Sequence, residues 1–370
     1  MSLVVHTDCR YYRGSMPCSF HKQDGRLCEG CRDYDPIKTR VLVIKLAAIG
    51  DVLRTTSILP ALRKKYEGSE ITWVTKRNAA QLLAQNHLID RLLETEGNYL
   101  EFVRNERFDV GICLDADPLS AAIHSLADCS ERYGFLADRN GRVQPANDFA
   151  REWWLMGLND QLKKDNRKSY QQIMYEICDL PSAPSRPILH LDDESLQFAQ
   201  EFAARNRING SSKIAGVNTG GGNRWQHKKW TLDGYVQLIN ALRHAGVQVI
   251  LFGGPEEIEF NSEIKKRITD DIADAGCHNS LRKFAALINL VDVLFTPDSL
   301  GMHIGVALGK PVVVSVGPTS PWELDVYGKG EVIHSDIECL ACYLTRCDKA
   351  VNCMNTLEPQ FVLEKIMKYL

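Results

Sequence analysis

Three short stretches of this 370-residue sequence gather residues suited to holding phosphate or a nucleotide. In "NTGGGNRWQHKKW", Gly220, Gly221 and Gly222 follow an apolar run, and Lys228 and Lys229 come next. Consecutive glycines let a backbone approach an anion closely and adopt dihedrals other residues avoid. The pattern is neither GxGxxG nor GxxxxGK followed by Ser or Thr, so a flexible loop over a solvated basic turn stays open. In "TPDSLGMHIGVAL", Asp298 and Ser299 stand where a strand should give way to a helix, followed by Gly301 and His303. Asp or Ser there can cap the helix. The same helix start offers unpaired N–H groups and a positive dipole end, which suit an anion. His303 either faces that place or packs. In "FGGPEE", Glu256 or Glu257 can accept hydrogen bonds from ribose hydroxyls, unless the turn is merely solvated.

Other clusters suggest metal. Asp115 and Asp117 in "LDADP" form a DxD pattern, which holds a divalent ion in some sugar-nucleotide enzymes. So short a motif recurs by chance, and it lies in the other half of the chain from the glycine loop, so we read it as incidental. Eight of the 12 cysteines fall into two groups. Cys9, Cys18, Cys28 and Cys31, near His21, read C-x8-C-x9-C-x2-C, and Cys339, Cys342, Cys347 and Cys353 read C-x2-C-x4-C-x5-C. Each CxxC lets two thiolates reach one tetrahedral ion. In a reducing compartment a metal is favoured over disulfides, so structural zinc or iron is expected, with disulfides or free thiols as the alternative. The two groups could also share one cluster. Cys113, Cys129, Cys178 and Cys277 read as core filler. Lastly, "RVLVIKLAAIGDVLRTTSILPALRKKY" leaves an apolar run by presenting Gly50 and the carboxylate of Asp51.

These residues need elements to carry them. "RVLVIKL", "EITWVT", "IDRLLE" and "FDVGICLD" read as strands, with "NAAQLLAQN" and "PLSAAIHSLA" as helices between them. Pro60 should kink the helix after Asp51 or make it start late. Residues 147–180 read as helical with polar breaks, and "PSAPSRPILHL" as a linker. The alternation then restarts with "KIAGVN", "VQVILF", "DVLFTP" and "PVVVSV" as strands. Between them come helices over "LDGYVQLINALRHAG", stopped by Gly246, and "SLRKFAALINLV", capped by Ser280. A last helix, "TLEPQFVLEKIMKYL", has Thr356 as expected cap. Strands alternating with helices imply parallel sheets. The fold class is therefore α/β, with two Rossmann-like domains facing a cleft and a Cys-rich N-terminal segment. The expected division is 1–36 for that segment, 37–183 for the first domain, 184–355 for the second, and 356–370 for a helix packing back toward the first.

Composition narrows the function. A net charge of −3 argues against nucleic-acid binding driven by bulk charge. No apolar run approaches the ~18 residues a membrane span needs, and the N-terminus has no signal-peptide core, so a cytoplasmic protein is expected, with peripheral inner-membrane contact left open.

Taken in order, "IKLAAIGDVLRTTSILPALRKKY", "GGGNRWQHKKW", "FGGPEE", "TPDSLGMHIGVALGKP" and "GPTSP" resemble glycosyltransferase family 9, the ADP-heptose:lipopolysaccharide heptosyltransferases, over roughly residues 40–370. The resemblance implies the glycosyltransferase B fold and inverting, metal-independent transfer of heptose from ADP-heptose to a lipid-linked anionic saccharide, the lipopolysaccharide inner core. It implies Asp51 as catalytic base and Lys228 as the grip on the donor diphosphate. Asp298, Ser299, Gly301 and His303 would form the second-domain phosphate loop, with Gly221 beside the donor and Glu256 or Glu257 on the ribose. Gly50, Arg54, Arg63 and Lys64 would serve the acceptor, as would basic Lys163, Lys164, Arg167 and Lys168. The family has glycine directly after the Asp-Ser or Asp-Thr pair. Here Leu300 stands there with Gly301 next, a one-residue change of register. Competing readings are a same-fold transferase with another nucleotide sugar or a protein acceptor, a nucleotide-sugar epimerase, and a non-catalytic metal-finger binding protein.

Overall fold

The computed structural model describes residues 3–181, 183–208, 210, 212–222 and 225–370. Asn223 and Arg224 of the glycine loop and Ser182 of the linker lie outside the described residues.

Two six-stranded sheets are present among them. The first holds β1 (Thr39–Ile44), β2 (Ser69–Thr75), β3 (Arg91–Glu94), β4 (Arg107–Cys113), β5 (Asp128–Ala137) and β6 (Val143–Pro145), in the order β3-β2-β1-β4-β5-β6. Only β6 of this sheet runs antiparallel. The second holds β7 (Ile214–Asn218), β8 (Gln248–Phe252), β9 (Ala273–Asp274), β10 (Val293–Pro297), β11 (Val312–Ser315) and β12 (Gly330–Ile333), all parallel. Its order, β12-β11-β10-β7-β8-β9, repeats that of the first sheet read from the other edge. Helices cover both faces of such sheets, so their strands read as continuous apolar runs: Val41, Leu42, Val43 and Ile44 are all fully buried. The order of strands reverses between β1 and β4 and between β7 and β10. Ligands bind outside the carboxyl ends of parallel strands at such switch points. Asp51 follows β1, the glycine loop follows β7 and Asp298 follows β10.

The halves share core as well as a cleft. Leu53, on the helix Ile49–Thr55, packs fully buried in the cluster of the second sheet with Met302 and Ile304. The helix bearing Asp51 thus lies against the helix Leu300–Ala307 that follows Asp298.

Local expectations hold for Pro60 and for residues 147–180. Pro60 sits in the first turn of Leu59–Lys65, behind a 3-10 turn at Thr56–Ile58, where its missing N–H costs nothing. Residues 147–180 form three helices, Asp148–Leu158, Asp160–Asp165 and Tyr170–Ile177, whose starts are capped by Asn147, Asn159 and Ser169. β5, β6, β9, β12 and the helix Asp193–Arg205 have apolar patterns too short or too mixed to stand out in sequence.

The C-terminal helix, Pro359–Met367, does not pack toward the first domain. Val362 and Ile366 are fully buried beside Trp230, Tyr235 and Leu238 of the second. The Trp230 indole donates to Leu357 O at 3.0 Å, and Lys368 pairs with Glu331 at 2.8 Å. Its apolar face completes the second core, which leaves nothing to carry it across. Thr356 does not cap it either: Glu358 occupies the cap position, and Thr356 Oγ1 donates to Asn352 O.

Candidate functional site

A cleft of about 1050 Å³ opens between the carboxyl ends of the two sheets. From the first half it is lined by Lys45, Gly50, Asp51, Arg54 and Tyr170. From the second come the glycine loop, Lys228, Glu256 and Glu257, Asp298 to Gly301, and His303.

Asp51 projects from the first turn of Ile49–Thr55 and pairs with Arg54 Nη2 at 2.9 Å. The Arg54 guanidinium lies 3.5 Å from the centre of the Tyr170 ring. Burial raises the Asp51 carboxyl, but Arg54, Lys45 and His303 outweigh it and hold it below its ordinary value. Asp51 is therefore ionised at neutral pH. Lys45 is itself buried and paired with Asp115. Asp115 also accepts from Leu46 N at 2.5 Å, and Asp117 accepts from Leu119 N and Ser120 N to start the helix Pro118–Leu126. Asp115 is thus occupied in shaping the loop before Asp51, and Asp117 in capping the next helix.

Gly50 lines the cleft from the first turn of its helix. It is helical, and a Cβ there would come within 2.7 Å of His303 Cδ2. Its small size lets the two halves approach. Arg63 and Lys64 do not line the cleft. Arg63 donates to Leu88 O at 2.8 Å and to Asp90 at 2.6 Å, tying its helix to the edge of the first sheet, and Lys64 is exposed beside it. In the insertion, Lys163 stands over the Tyr343 ring and Arg167 over the Trp322 ring, bridging to the second half.

In the second half Lys228 Nζ pairs with Asp298 at 2.7 Å, and Thr319 Oγ1 donates to the same carboxylate at 2.9 Å. Burial opposes ionisation of Asp298, yet Lys228 and His303 push it down to about 2. Ser299 occupies the cap position of Leu300–Ala307 but accepts no bond from it. Its Oγ meets Asn218 Nδ2 at 3.2 Å and Thr296 Oγ1 at 3.1 Å. With Asp298 and Ser299 both engaged elsewhere, side-chain capping is absent and the first N–H groups of this helix stay available. A Cβ on Gly301 would meet Asn218 Nδ2 at 2.7 Å, so any side chain there must displace Asn218. Gly221 lies against Lys228 and Lys229. Glu257 is buried, accepts from Gly254 N at 2.9 Å and pairs with Lys229, whereas Glu256 is exposed.

Burial and then Arg54 push His303 down to about 4 from an ordinary 6.5. Between those values the unfolded chain binds the proton and the fold does not. Stability contributed by neutral His303 is full above pH 6.5 and lost as pH falls toward 4, by about 3 kcal/mol. His303→Gln is expected to flatten this dependence, as read from urea denaturation at pH 7 and pH 4.5.

Sequence reasoning missed Asn218, Thr319, Glu323, Tyr170 and Tyr343, all of which line the cleft. Asn218 precedes the glycine loop, and Thr319 lies inside "GPTSP", so both carried a signal. Tyr170 and Tyr343 are brought in from far along the chain.

The model of glycosyltransferase family 9 (heptosyltransferase) matches residues 99–350. Lipopolysaccharide heptosyltransferase 2 of Salmonella typhimurium is 24% identical over 300 residues, covering 76% of this chain and 84% of the relative. A glycosyl transferase family 9 structure from Veillonella parvula superposes with a TM-score of 0.76 at 19% identity, over 90% of this chain and 97% of the other. E. coli ADP-heptose lps heptosyltransferase II gives 0.67 at 20%, over 89% and 98%. With a family model spanning more than half the chain, and with its motifs meeting in one interdomain cleft, the protein belongs to glycosyltransferase family 9, the heptosyltransferases.

Proposed function

We propose that the protein transfers a heptose from ADP-heptose to the anionic, lipid-linked inner core of lipopolysaccharide, with inversion and with no metal in the chemical step. One observation carries this reading: Asp51 of the first half and the Lys228–Asp298 cradle of the second line the same cleft. In an inverting transfer a base takes the acceptor hydroxyl's proton as its oxygen attacks the anomeric carbon, while the nucleotide diphosphate leaves from the opposite face. Asp51, ionised and held by Arg54, is that base. Lys228 and the N–H groups at the start of Leu300–Ala307 take the charge growing on the diphosphate. Glu257 is better placed than Glu256 to meet the ribose, being fixed by Lys229 and Gly254. Arg54 suits an anionic acceptor, since its Nε is buried with no hydrogen-bond partner among the described residues.

The donor and acceptor of related proteins support this assignment: one is named an ADP-heptose lps heptosyltransferase and another a lipopolysaccharide heptosyltransferase. No helix among the described residues is long and apolar enough to cross a membrane. Use of a nucleotide sugar places the reaction in the cytoplasm, with peripheral contact at the inner face of the membrane through the basic insertion.

Calorimetric titration with ADP, UDP and GDP tests the donor. ADP-selective binding is expected. Selectivity for UDP would instead favour another same-fold transferase or an epimerase, and no nucleotide binding would favour a non-catalytic role.

Structural zinc or iron at the cysteine groups is a separate proposal. Cys9, Cys18, Cys28 and Cys31 line one cavity of about 370 Å³ together with His6 and His21, and no cysteine of the second group joins them. Residues 3–36 contain no buried side chain, so this segment needs a staple. In the second group burial, then Cys342, Cys339 and Cys347, push the Cys353 thiol up to about 11. As the side chains stand, no three His, Cys, Asp or Glu residues among those described converge on one point, so the thiols must turn inward to take an ion. Metal analysis of protein purified without added metal is expected to find zinc or iron, and metal-free, fully folded protein would overturn the proposal.

A further inference from the structure

We infer that Glu323, held in place by Tyr343, recognises hydroxyl groups of the transferred sugar and sets which sugar the cleft accepts. This rests on the donor reading above and adds a residue to it.

Glu323 lies beyond β11, in the loop that begins "GPTSP", and lines the cleft with Asp51, Arg54, Lys228 and Asp298. Its main chain is fixed across the domain boundary: Tyr170 N donates to Glu323 O at 3.1 Å. Tyr170 is the same residue whose ring carries Arg54, the partner of Asp51. The Glu323 backbone is therefore linked to the proposed base through two side chains, those of Tyr170 and Arg54.

Its carboxyl group accepts a hydrogen bond from Tyr343 Oη at 3.2 Å. Tyr343 is aimed there by the second cysteine segment. Tyr343 N donates to Pro318 O at 2.8 Å and Ala341 N to Gly317 O at 3.0 Å, so this segment grips the start of the "GPTSP" loop. Ala341 and Tyr343 both take positive φ, +58° and +55°, a conformation that non-glycine residues hold only where the surroundings enforce it. Lys163 of the first half stands over the Tyr343 ring, 4.8 Å from its centre.

The position and chemistry of Glu323 favour a sugar over a phosphate. Charges of Arg54, Asp298 and Asp51 all act on it, and it lines the same cleft as the proposed base and the proposed diphosphate cradle. Burial raises its carboxyl above the ordinary value, as expected of an acid kept from water. A carboxylate would repel a diphosphate. It has about four acceptor sites, and Tyr343 fills one. The rest suit a polyol, whose hydroxyls donate. A buried group built to pair with a substrate hydroxyl rejects analogues lacking it far more strongly than an apolar wall does.

The test compares unaltered protein with Glu323→Ala, Glu323→Gln and Tyr343→Phe, using ADP and ADP-heptose in calorimetry and transfer assays. Glu323→Ala is expected to bind ADP within about twofold of the unaltered protein and to lose about 10²-fold in kcat/KM for ADP-heptose. Glu323→Gln, which keeps the volume and one acceptor, should recover part of that loss. Tyr343→Phe should raise KM more than it lowers kcat. Equal kcat/KM in Glu323→Ala and unaltered protein overturns the inference, and so does a loss of ADP binding equal to the loss for ADP-heptose. If Glu323→Ala does not fold, Glu323→Gln decides alone, with unchanged kinetics again counting against it. Absence of ADP binding by the unaltered protein would instead remove the donor reading, and this inference with it.

Discussion

Asp51→Asn is expected to lower single-turnover transfer by about 10²–10⁴-fold while leaving ADP affinity nearly unchanged. The asymmetry follows from where the residue sits. Asp51 belongs to the first half, and its ion pair is with Arg54 rather than with Lys228 or Asp298 of the proposed nucleotide cradle. Asparagine keeps the size and can still accept a hydrogen bond from Arg54, but it cannot take a proton from the acceptor. It also leaves a buried guanidinium without its counter-charge, so some loss of thermal stability should accompany the loss of rate. Quenched-flow transfer with saturating donor, beside calorimetry with ADP, separates the two effects. Turnover within a few-fold of the unaltered protein would remove Asp51 from the mechanism.

Lys228→Ala should do the reverse, weakening ADP and the sugar donor together. Loss of a charge-assisted hydrogen bond costs about 1.5–3 kcal/mol, or roughly 10–150-fold in affinity. The structure adds a second penalty. Lys228 pairs with half-buried Asp298 at 2.7 Å, and removing it leaves an uncompensated carboxylate facing the incoming diphosphate. The double variant Lys228→Ala/Asp298→Asn is therefore expected to bind ADP more tightly than Lys228→Ala alone. Unchanged ADP affinity in the single variant would reassign the lysine. A double variant no better than the single one would show that Asp298 does not oppose the diphosphate.

Chain order and local chemistry made much of this site legible. "AAIGD", "GGGN", "FGGPEE" and "TPDSLGMH" each follow an apolar run of strand length, and parallel topology sends all such ends to one side of a sheet. The roles of the glycines were less legible. Gly50 and Gly301 are both helical, and each is glycine where His303 or Asn218 presses close, a constraint the chain does not state. Arg63 and Lys64 read as acceptor groups because they are basic and close to Asp51 in sequence. A helix runs from one end of a sheet to the other, so residues a dozen positions on lie away from the cleft.

By itself, then, the sequence determined the periodic elements, the parallel alternation of two halves and the chemistry available at their strand ends. Those depend on local spacing and on residue type, which the chain states directly. Tertiary structure alone decided which charges meet: Arg54 with Asp51 over Tyr170, Lys228 with Asp298, Tyr343 with Glu323. It also decided that the last helix stays with the second core. Apart from Asp51 and Arg54, which are three residues apart on one helix, such pairings join residues distant in the chain, and they are selected by which group would otherwise be left without a partner.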